Sequence, residues 1–541
     1  MTYFLYVVAS LVFILTCFGL GKELIHMAQL EGYKPSQYGR WLKNNLYSVF
    51  LEKGLILLTI TGAIIFFIAY FINYNELLGI FFVLAWVAIN IYVIYKNRKA
   101  KKEAKKPLVF THRAIRLFVF YLLLSVLWLS LSVSTLYQNN ISYYILCISI
   151  VSFLLPINMY IAIAVMYPVE MMVHYRYFRS AQNKIYDMKE LKVIGITGSY
   201  GKTSTKYFVK TILSEKYNTL MTPESYNTPM GISKVIREEL KDEHEVFVCE
   251  MGARNIGDIK QLTKLVNPSI GILTSIGPQH LETFKFIENV AKTKYELIEA
   301  LPYDGTAIFN GDNSYCLELA KKTGIETLIY GIENNDDSLF IKATDIETSI
   351  GGLKFRVKGG ENIDFQCETS LLGKHNVSNM LAAISVALKL GLTTDEIKRG
   401  ISKIKPVPHR LEIVKSNNGV MVIDDAFNSN PAGSLEALET IKTLPGGNKI
   451  VITPGMVELG AIEYDENKKF GINIAKTCDA AILIGIKRSK PIVEGLRQEN
   501  FPEEGIHVVS SLEEATQRLG TIVKTGDIVL FENDLPDNYD E

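Results

Sequence analysis

Five apolar runs dominate the first 170 or so residues and fix what this half of the chain can become. They fall at roughly 3–20, 54–72, 77–95, 117–136 and 144–167. About 20 apolar residues in helical form cross a bilayer core, and a helix satisfies its own backbone hydrogen bonds where no water can. The runs therefore predict an α-helical membrane domain with five spans. The first run has no basic segment before it and no small-residue cleavage site after it, so it reads as an anchor rather than a signal peptide.

Loop charges give the expected orientation. Segment 96–106 (KNRKAKKEAKK) carries seven bases against one acid, and 21–53 holds Lys22, Lys34, Arg40, Lys43 and Lys53. The short loops 73–76 and 138–143 hold no Lys or Arg. Basic loops stay inside, which sets the N-terminus outside and the rest of the chain on the cytoplasmic side. A basic run beside a membrane also suits anionic lipid or an anionic lipid-linked substrate. The expected spans carry no acid–base pair of the kind that marks a transport path, which favours an anchor or substrate-presenting platform over a transporter.

The remainder reads as ordinary soluble α/β sequence, and 541 residues exceed what one core usually supports. Acids and bases balance at 57 each, so no global field argues for nucleic acid. The six cysteines are scattered without metal-ligand spacing, as in a reducing compartment.

A β-branched run at 191–197 (LKVIGIT) leads into Gly198-Ser199-Tyr200-Gly201-Lys202-Thr203, and Ser204 opens a plausible helix to residue 213. Strand, glycine-rich turn, Lys-Thr and helix are what a phosphate loop needs. Backbone N–H groups cradle phosphates, Lys202 neutralises charge, and the Thr203 hydroxyl reaches Mg²⁺. The spacing departs from G-x4-G-K-[ST], with Ile196 where that form has its first glycine. On its own the loop says only that nucleotide binds.

Six ordered blocks say more: TGSYGKTST (197–205), SYNTPMGI (225–232), EVFVCEMGARNIGDI (245–259), TSIGPQHLETF (274–284), GKHNVSNMLAA (373–383), and PVPHRLE (406–412) followed by IDDAFNSNP (423–431). In these the chain resembles the Mur ligase superfamily over about 192–527, and most of all the MurF type, which adds D-alanyl-D-alanine to a UDP-muramoyl tripeptide. The apolar runs give a membrane domain at 1–184, the resemblance implies a central P-loop parallel-sheet domain at 185–405, and the strand–helix alternation after it reads as a Rossmann-like C-terminal domain at 406–541. A β-rich segment is expected at 338–372.

Site residues follow from the same resemblance. Glu250 ends an apolar strand, where a carboxylate can face Mg²⁺. His280 by itself reads as a turn residue, and Lys294 as a solvated helix lysine. The resemblance makes His280 a ligand to a second Mg²⁺ and Lys294, chosen over Lys292 on spacing, a carbamylated ligand. It sets Asn310, His375 and Asn376 against adenine and ribose, with Asp312 a weaker candidate. Arg410 and Asp425 close over ATP. Asn227, Thr228, Asn428 and Asn430 resemble substrate-side positions, and Phe427 stands where tyrosine is usual. The turn Met456-Val457-Glu458-Leu459-Gly460 looks like the family's M-x-E-L-G turn.

The implied chemistry is ATP-dependent amide-bond formation through an acyl phosphate, joining an amino acid or dipeptide to a cell-wall or envelope precursor at the bacterial cytoplasmic membrane. Two departures bear on the acceptor. The apolar runs occupy the place of the type's UDP-sugar domain, and the ending GDIVLFENDLPDNYDE has acids where the type has lysine-glycine-serine. A membrane- or lipid-linked acceptor is the alternative to a UDP-muramoyl peptide. An ATP-driven transporter is the other class, disfavoured by the odd span count and the lack of an LSGGQ-like signature.

Overall fold

The computed structural model describes residues 2–72, 76–99, 107–133, 141–224, 226–336, 338–349, 351–360, 362–414, 419–426 and 429–535. The loop expectations at 73–75, 100–106 and 138–140, and the tail 536–541, lie outside these residues. Two compact units meet in sequence between Tyr175 and Arg176.

The first unit is helical. Among the described residues, four helices are long and apolar enough to cross a membrane: Tyr3–Leu30, Leu77–Asn97, His112–Ser132 and Ile141–Asp187. The last of these supplies its final turns to the second unit. The run at 54–72 forms a shorter apolar helix of 17 residues, Leu55–Phe71, about 25 Å long at 1.5 Å per residue. Gly54 is its N-cap, at φ +78 and in a space that Val93 would deny a Cβ. Small residues let the helices approach: a Cβ on Gly62 would lie 2.4 Å from Ser149 Oγ, to which Trp86 Nε1 donates at 2.8 Å. Buried Thr16 donates to Asn90 at 3.1 Å. Glu170, 2% exposed, accepts from Arg116 Nε and Nη2 at 2.8 Å each, with Arg113 3.6 Å away. This acid–base cluster sits just beyond the ends of the runs 117–136 and 144–167.

The second unit holds two sheets. The first comprises β1 (Lys192–Thr197), β2 (Thr219–Met221), β3 (Val246–Glu250), β4 (Ile270–Leu273), β5 (Thr306–Asn310), β6 (Glu326–Gly331), β7 (Ile341–Ser349), β8 (Gly352–Gly359) and β9 (Ile363–Thr369). Its order is β2-β3-β1-β4-β5-β6-β7-β8-β9. Pairing is parallel from β2 to β7, and the hairpins β7-β8-β9 finish it antiparallel. Strands β1 and β3 are almost continuously apolar because helices cover both faces. Ile194 and Ile196 meet Phe208, Ile212 and Met380 on one side, while Val193 and Phe247 meet Ile259 and Leu297 on the other.

The second sheet comprises β10 (Glu412–Val414), β11 (Met421–Asp425), β12 (Lys449–Thr453), β13 (Ala480–Ile484), β14 (Ile506–Val509) and β15 (Ile528–Glu532). Its order is β10-β11-β15-β12-β13-β14, parallel except for β10 against β11.

Candidate functional site

In an open parallel sheet, ligands gather outside the carboxyl ends of the strands. Strands β3, β1 and β4 are neighbours, and their ends carry Glu250, the loop from Gly198 and the loop to His280. The register Ile196↔Glu250 brings the carboxylate beside the start of the glycine loop.

The loop itself is strapped from β4. Ser199 Oγ donates to the Gly277 carbonyl and accepts from the Gly277 amide, both at 3.0 Å. Thr274 Oγ1 donates to the Tyr200 carbonyl at 2.5 Å, and Tyr200 OH donates to Pro278 O at 3.0 Å. Gly198 is required here: at φ +151, a Cβ would lie 2.0 Å from Thr274 Oγ1. Gly201, at φ +79, caps the helix Lys202–Leu213 and lies hard against Asn379. Lys202 folds back so that Nζ donates to the carbonyls of Gly198 (2.6 Å) and Ser199 (3.0 Å). Burial pulls its ammonium down to about 8, with Glu250 opposing and Arg410 reinforcing the fall. Thr203 follows on the same turn, half-buried, and Ser204 is buried.

Glu250 is fully enclosed. Its Oε2 accepts from Lys206 Nζ at 3.1 Å and its Oε1 from Asn227 Nδ2 at 3.1 Å. Burial alone would raise its carboxyl; Lys206, Lys202 and Asn227 outweigh burial and hold it low. Lys206 went unnoticed in the sequence, although it stands one helical turn beyond Lys202 and so on the same face.

Lys294 is buried on the helix Ile287–Glu299, whereas Lys292 is exposed. Burial first, and then Lys202, push its amine far below the usual lysine range against Asp258, Glu250 and Glu296. A neutral amine is the form that reacts with CO₂ to give a carbamate. His280, at φ +53, presents Nδ1 to the carboxylate of Glu458 from the turn after β12. Burial lowers its imidazolium, Glu458 opposes, and Arg254 and Lys202 add to the fall.

Magnesium usually keeps one or two carboxylates and several phosphate or water oxygens. The donor set fits that habit. Glu250 is ionised and each of its oxygens retains a lone pair, Thr203 offers a hydroxyl, and His280 is neutral. Among the described residues, no three His, Cys, Asp or Glu side chains form a metal cluster.

The second sheet brings Arg410 and Asp425. Positive φ at His409 (+60) and Leu411 (+46) kinks the chain on both sides of Arg410, whose guanidinium feels Asp425, Glu250 and Glu532. Asp425 ends β11 and pairs in register with Glu532 at the end of β15. Burial raises both carboxyls, Asp425 pushes Glu532 further up, and Arg410 opposes at both. Ser429 Oγ donates to Glu532 Oε1 at 2.5 Å. Glu532 stands in the stretch where the sequence departs into acids.

Other expected residues serve local structure. Asn310 Nδ2 donates to Thr274 O at 3.0 Å, and its Oδ1 accepts from Asp312 N. Asp312 in turn accepts from the amides of residues 332–334. Asn376 is buried and donates to Leu372 O at 2.7 Å. His375 lies 3.7 Å from Glu436. Thr228 and Asn430 cap the helices Pro229–Glu238 and Pro431–Thr443. Asn428, Phe427 and Ser225 lie outside the described residues.

A family model described as Mur ligase middle domain matches residues 196–387, and one described as Mur ligase, glutamate ligase domain matches 409–532. The UDP-N-acetylmuramoyl-tripeptide–D-alanyl-D-alanine ligase of Bacillus subtilis is 30% identical over 341 residues, covering 63% of this chain and 72% of that protein. Its Escherichia coli counterpart is 31% identical over 290 residues, 54% of this chain and 62% of that protein. The solved MurF ligase from Thermotoga maritima in complex with ADP aligns with a TM-score of 0.59 at 26% identity, over 67% of this chain and 80% of that one.

Proposed function

The chain belongs to the Mur ligase family, and we propose that it is an ATP-dependent carboxylate–amine ligase of the MurF kind, held at the bacterial cytoplasmic membrane. One observation carries the reading. The Gly198–Thr203 loop, Glu250 and His280 share three adjacent strand ends, with buried Lys294 behind them and Arg410 approaching from the second sheet.

In the reaction, an acceptor carboxylate attacks the γ-phosphorus of ATP. The bond to the ADP oxygen breaks and an acyl phosphate forms. The amine of an amino acid or dipeptide such as D-Ala-D-Ala then attacks the acyl carbon, the C–O bond to phosphate breaks, and the ammonium proton leaves to solvent. The chain's part is positioning and charge. Backbone amides of residues 198–203 hold phosphate oxygens, and Lys202 and Arg410 neutralise the transferring group. Asn310, His375, Asn376 and Asp425 line the nucleoside side. The family motifs assign Asn227 and Thr228 to the acceptor, and Asn428 and Asn430 to the incoming amine. Two Mg²⁺ ions, when bound, would offset phosphate charge, with Thr203, Glu250, His280 and carbamylated Lys294 as their holders.

Domains at 1–184, 185–405 and 406–541, the last Rossmann-like, suit this chemistry. A fifth span at Leu55–Phe71, 17 residues and so at the short limit for crossing, restores the odd count that leaves the ligase half cytoplasmic. A lipid-linked acceptor is favoured over a UDP-linked one by two features of this chain. The apolar helices share it, and the ending GDIVLFENDLPDNYDE has acids where the MurF type has lysine-glycine-serine.

The test uses the purified full-length chain in detergent with ATP and Mg²⁺. It is offered UDP-muramoyl tripeptide or a polyprenyl-linked counterpart, each with D-Ala-D-Ala. ADP release matched by a new amide in the mass spectrum is expected, faster with the lipid-linked acceptor. ATP hydrolysis without an amide on either acceptor refutes the ligase reading, and equal rates refute the lipid preference.

A further inference from the structure

Glu458 belongs to the turn after β12 of the second sheet, yet its carboxylate engages the first. Its Oε2 meets His280 Nδ1, and its Oε1 lies 3.4 Å from Arg254 Nη2. The His280 and Glu458 side chains are 17% and 19% exposed, so water competes little for the contact. Arg254 is steadied in turn by Thr283, whose Oγ1 donates to its carbonyl at 2.6 Å. Two residues on, Gly460 lies against the helix Leu281–Phe284, where a Cβ would be in ordinary van der Waals contact with the backbone of Leu281 and Glu282 at 3.5 Å. Both ends of the contact are strained, with φ +65 at Glu458 and +53 at His280. Left-handed backbone at non-glycine residues persists where surrounding contacts over-determine it. A simple strand-to-helix connection does not require a carboxylate aimed at the neighbouring sheet's histidine.

We propose that Glu458 is a positioning residue for His280: by accepting the Nδ1 proton it fixes the tautomer whose Nε2 lone pair is open to a divalent cation, and it does so only while the second sheet is docked on the first. This rests on the reading of His280 as a metal ligand. A neutral imidazole donates from one nitrogen and accepts at the other, so holding one decides the role of the other. A carboxylate on the far nitrogen is the usual orienting partner of a metal-bound histidine, and its removal typically weakens metal binding about 10–100-fold. Docking of the two sheets and completion of the cation site then become one event. An undocked second sheet leaves His280 free to rotate, and the cation is held less well before the site has closed.

The experiment measures Mn²⁺ affinity by electron paramagnetic resonance on the full-length chain in detergent micelles with ADP present. Circular dichroism checks that each variant is folded. Glu458→Ala is expected to weaken Mn²⁺ about tenfold or more. Glu458→Gln keeps an oxygen acceptor for Nδ1–H and is expected to stay near the parent, a rescue that loss of packing alone would not give. His280→Ala is expected to fall as far as Glu458→Ala, and the double variant no further. Parent-like affinity in Glu458→Ala alongside a weakened His280→Ala overturns the positioning role alone. Parent-like affinity in His280→Ala overturns both that role and the ligand reading it rests on. Tighter binding in Glu458→Ala makes Glu458 a competitor of the cation and also overturns the proposal.

Discussion

Replacing Lys206 by methionine removes one cation from beside a buried carboxylate. The Lys206 and Glu250 side chains are 0% and 2% exposed, and Nζ lies 3.1 Å from Oε2. At an effective dielectric of about 20, attraction at that separation is roughly 5 kcal/mol, and desolvation offsets most of it. The pair's net contribution is therefore small. Breaking one side is another matter, because a buried charge left without its partner costs about 3–5 kcal/mol. Lys202 and Asn227 still serve Glu250, which puts Lys206→Met near the lower end, about 3 kcal/mol, or roughly a hundredfold in the opening equilibrium. Glu250→Gln added to it removes the stranded charge, so the double variant should recover most of the loss. The assay is hydrogen-exchange mass spectrometry of peptides covering β3 in the full-length chain. Tryptophan fluorescence is blind to this sheet, since Trp41, Trp86 and Trp128 all lie in the first unit. The pH dependence gives a second check. Burial raises the Glu250 carboxyl, but Lys206, Lys202 and Asn227 hold it below 4.5. A depressed carboxyl lends stability that is present above the unfolded value and lost as pH falls through the folded one. The parent should therefore lose protection as pH drops below 4.5. Lys206→Met, where burial dominates, should instead gain protection as pH falls toward 4.5, above the parent's window, as the folded Glu250 takes up a proton first. Equal protection in parent and Lys206→Met at neutral pH, or no recovery in the double variant, refutes the reasoning.

Lys294, whose amine burial and Lys202 push far below the usual lysine range, should take up ¹³C-labelled CO₂ at neutral pH and show a carbamate resonance. Lys294→Gln should lack that signal and the ligase activity, while Lys292→Gln keeps both. Glu532, raised by burial and by Asp425, is protonated in the fold and ionised when unfolded, so it costs stability as pH rises from 4.5 toward its folded value. Glu532→Gln should flatten that slope in thermal unfolding and change stability at pH 7 by less than about 1.5 kcal/mol. Glu170→Gln strands Arg113 and Arg116 in the first unit. It should lower the detergent-solubilised chain's unfolding temperature on a loss of about 3 kcal/mol, whereas Glu23→Gln, in a half-exposed pair with Lys53, should cost about 1 kcal/mol or less.

Much of this was legible because it is local. The run LKVIGIT and the glycines after it specify a strand, a turn and a helix start within fifteen residues, and the structure forms β1 and the helix Lys202–Leu213 there. The apolar runs were equally plain, and the second of them folds as the 17-residue helix Leu55–Phe71, one residue inside the run at each end. What escaped depends on register and on distant packing. Asp425 and Glu532 are 107 residues apart and meet because β11 and β15 pair in parallel. Glu458 reaches His280 across 178 residues. Asn310, Thr228 and Asn430 lie where the motifs put them, and their side chains are also taken up by turns and caps. A motif fixes a position; the hydrogen-bond partners come from the fold.

The charges around Lys294 act together. Burial lowers its amine most, Lys202 lowers it further, and Asp258, Glu250 and Glu296 oppose both. A charged amine there would stand near Lys202, whose own ammonium burial brings down to about 8. Converting Lys294 into a carbamate replaces that repulsion by attraction and adds a negative charge that a divalent cation can meet. Lys294→Arg, permanently charged, should therefore depend less on Mg²⁺ for ADP binding than the parent does, and parent-like Mg²⁺ dependence in that variant would refute the reasoning.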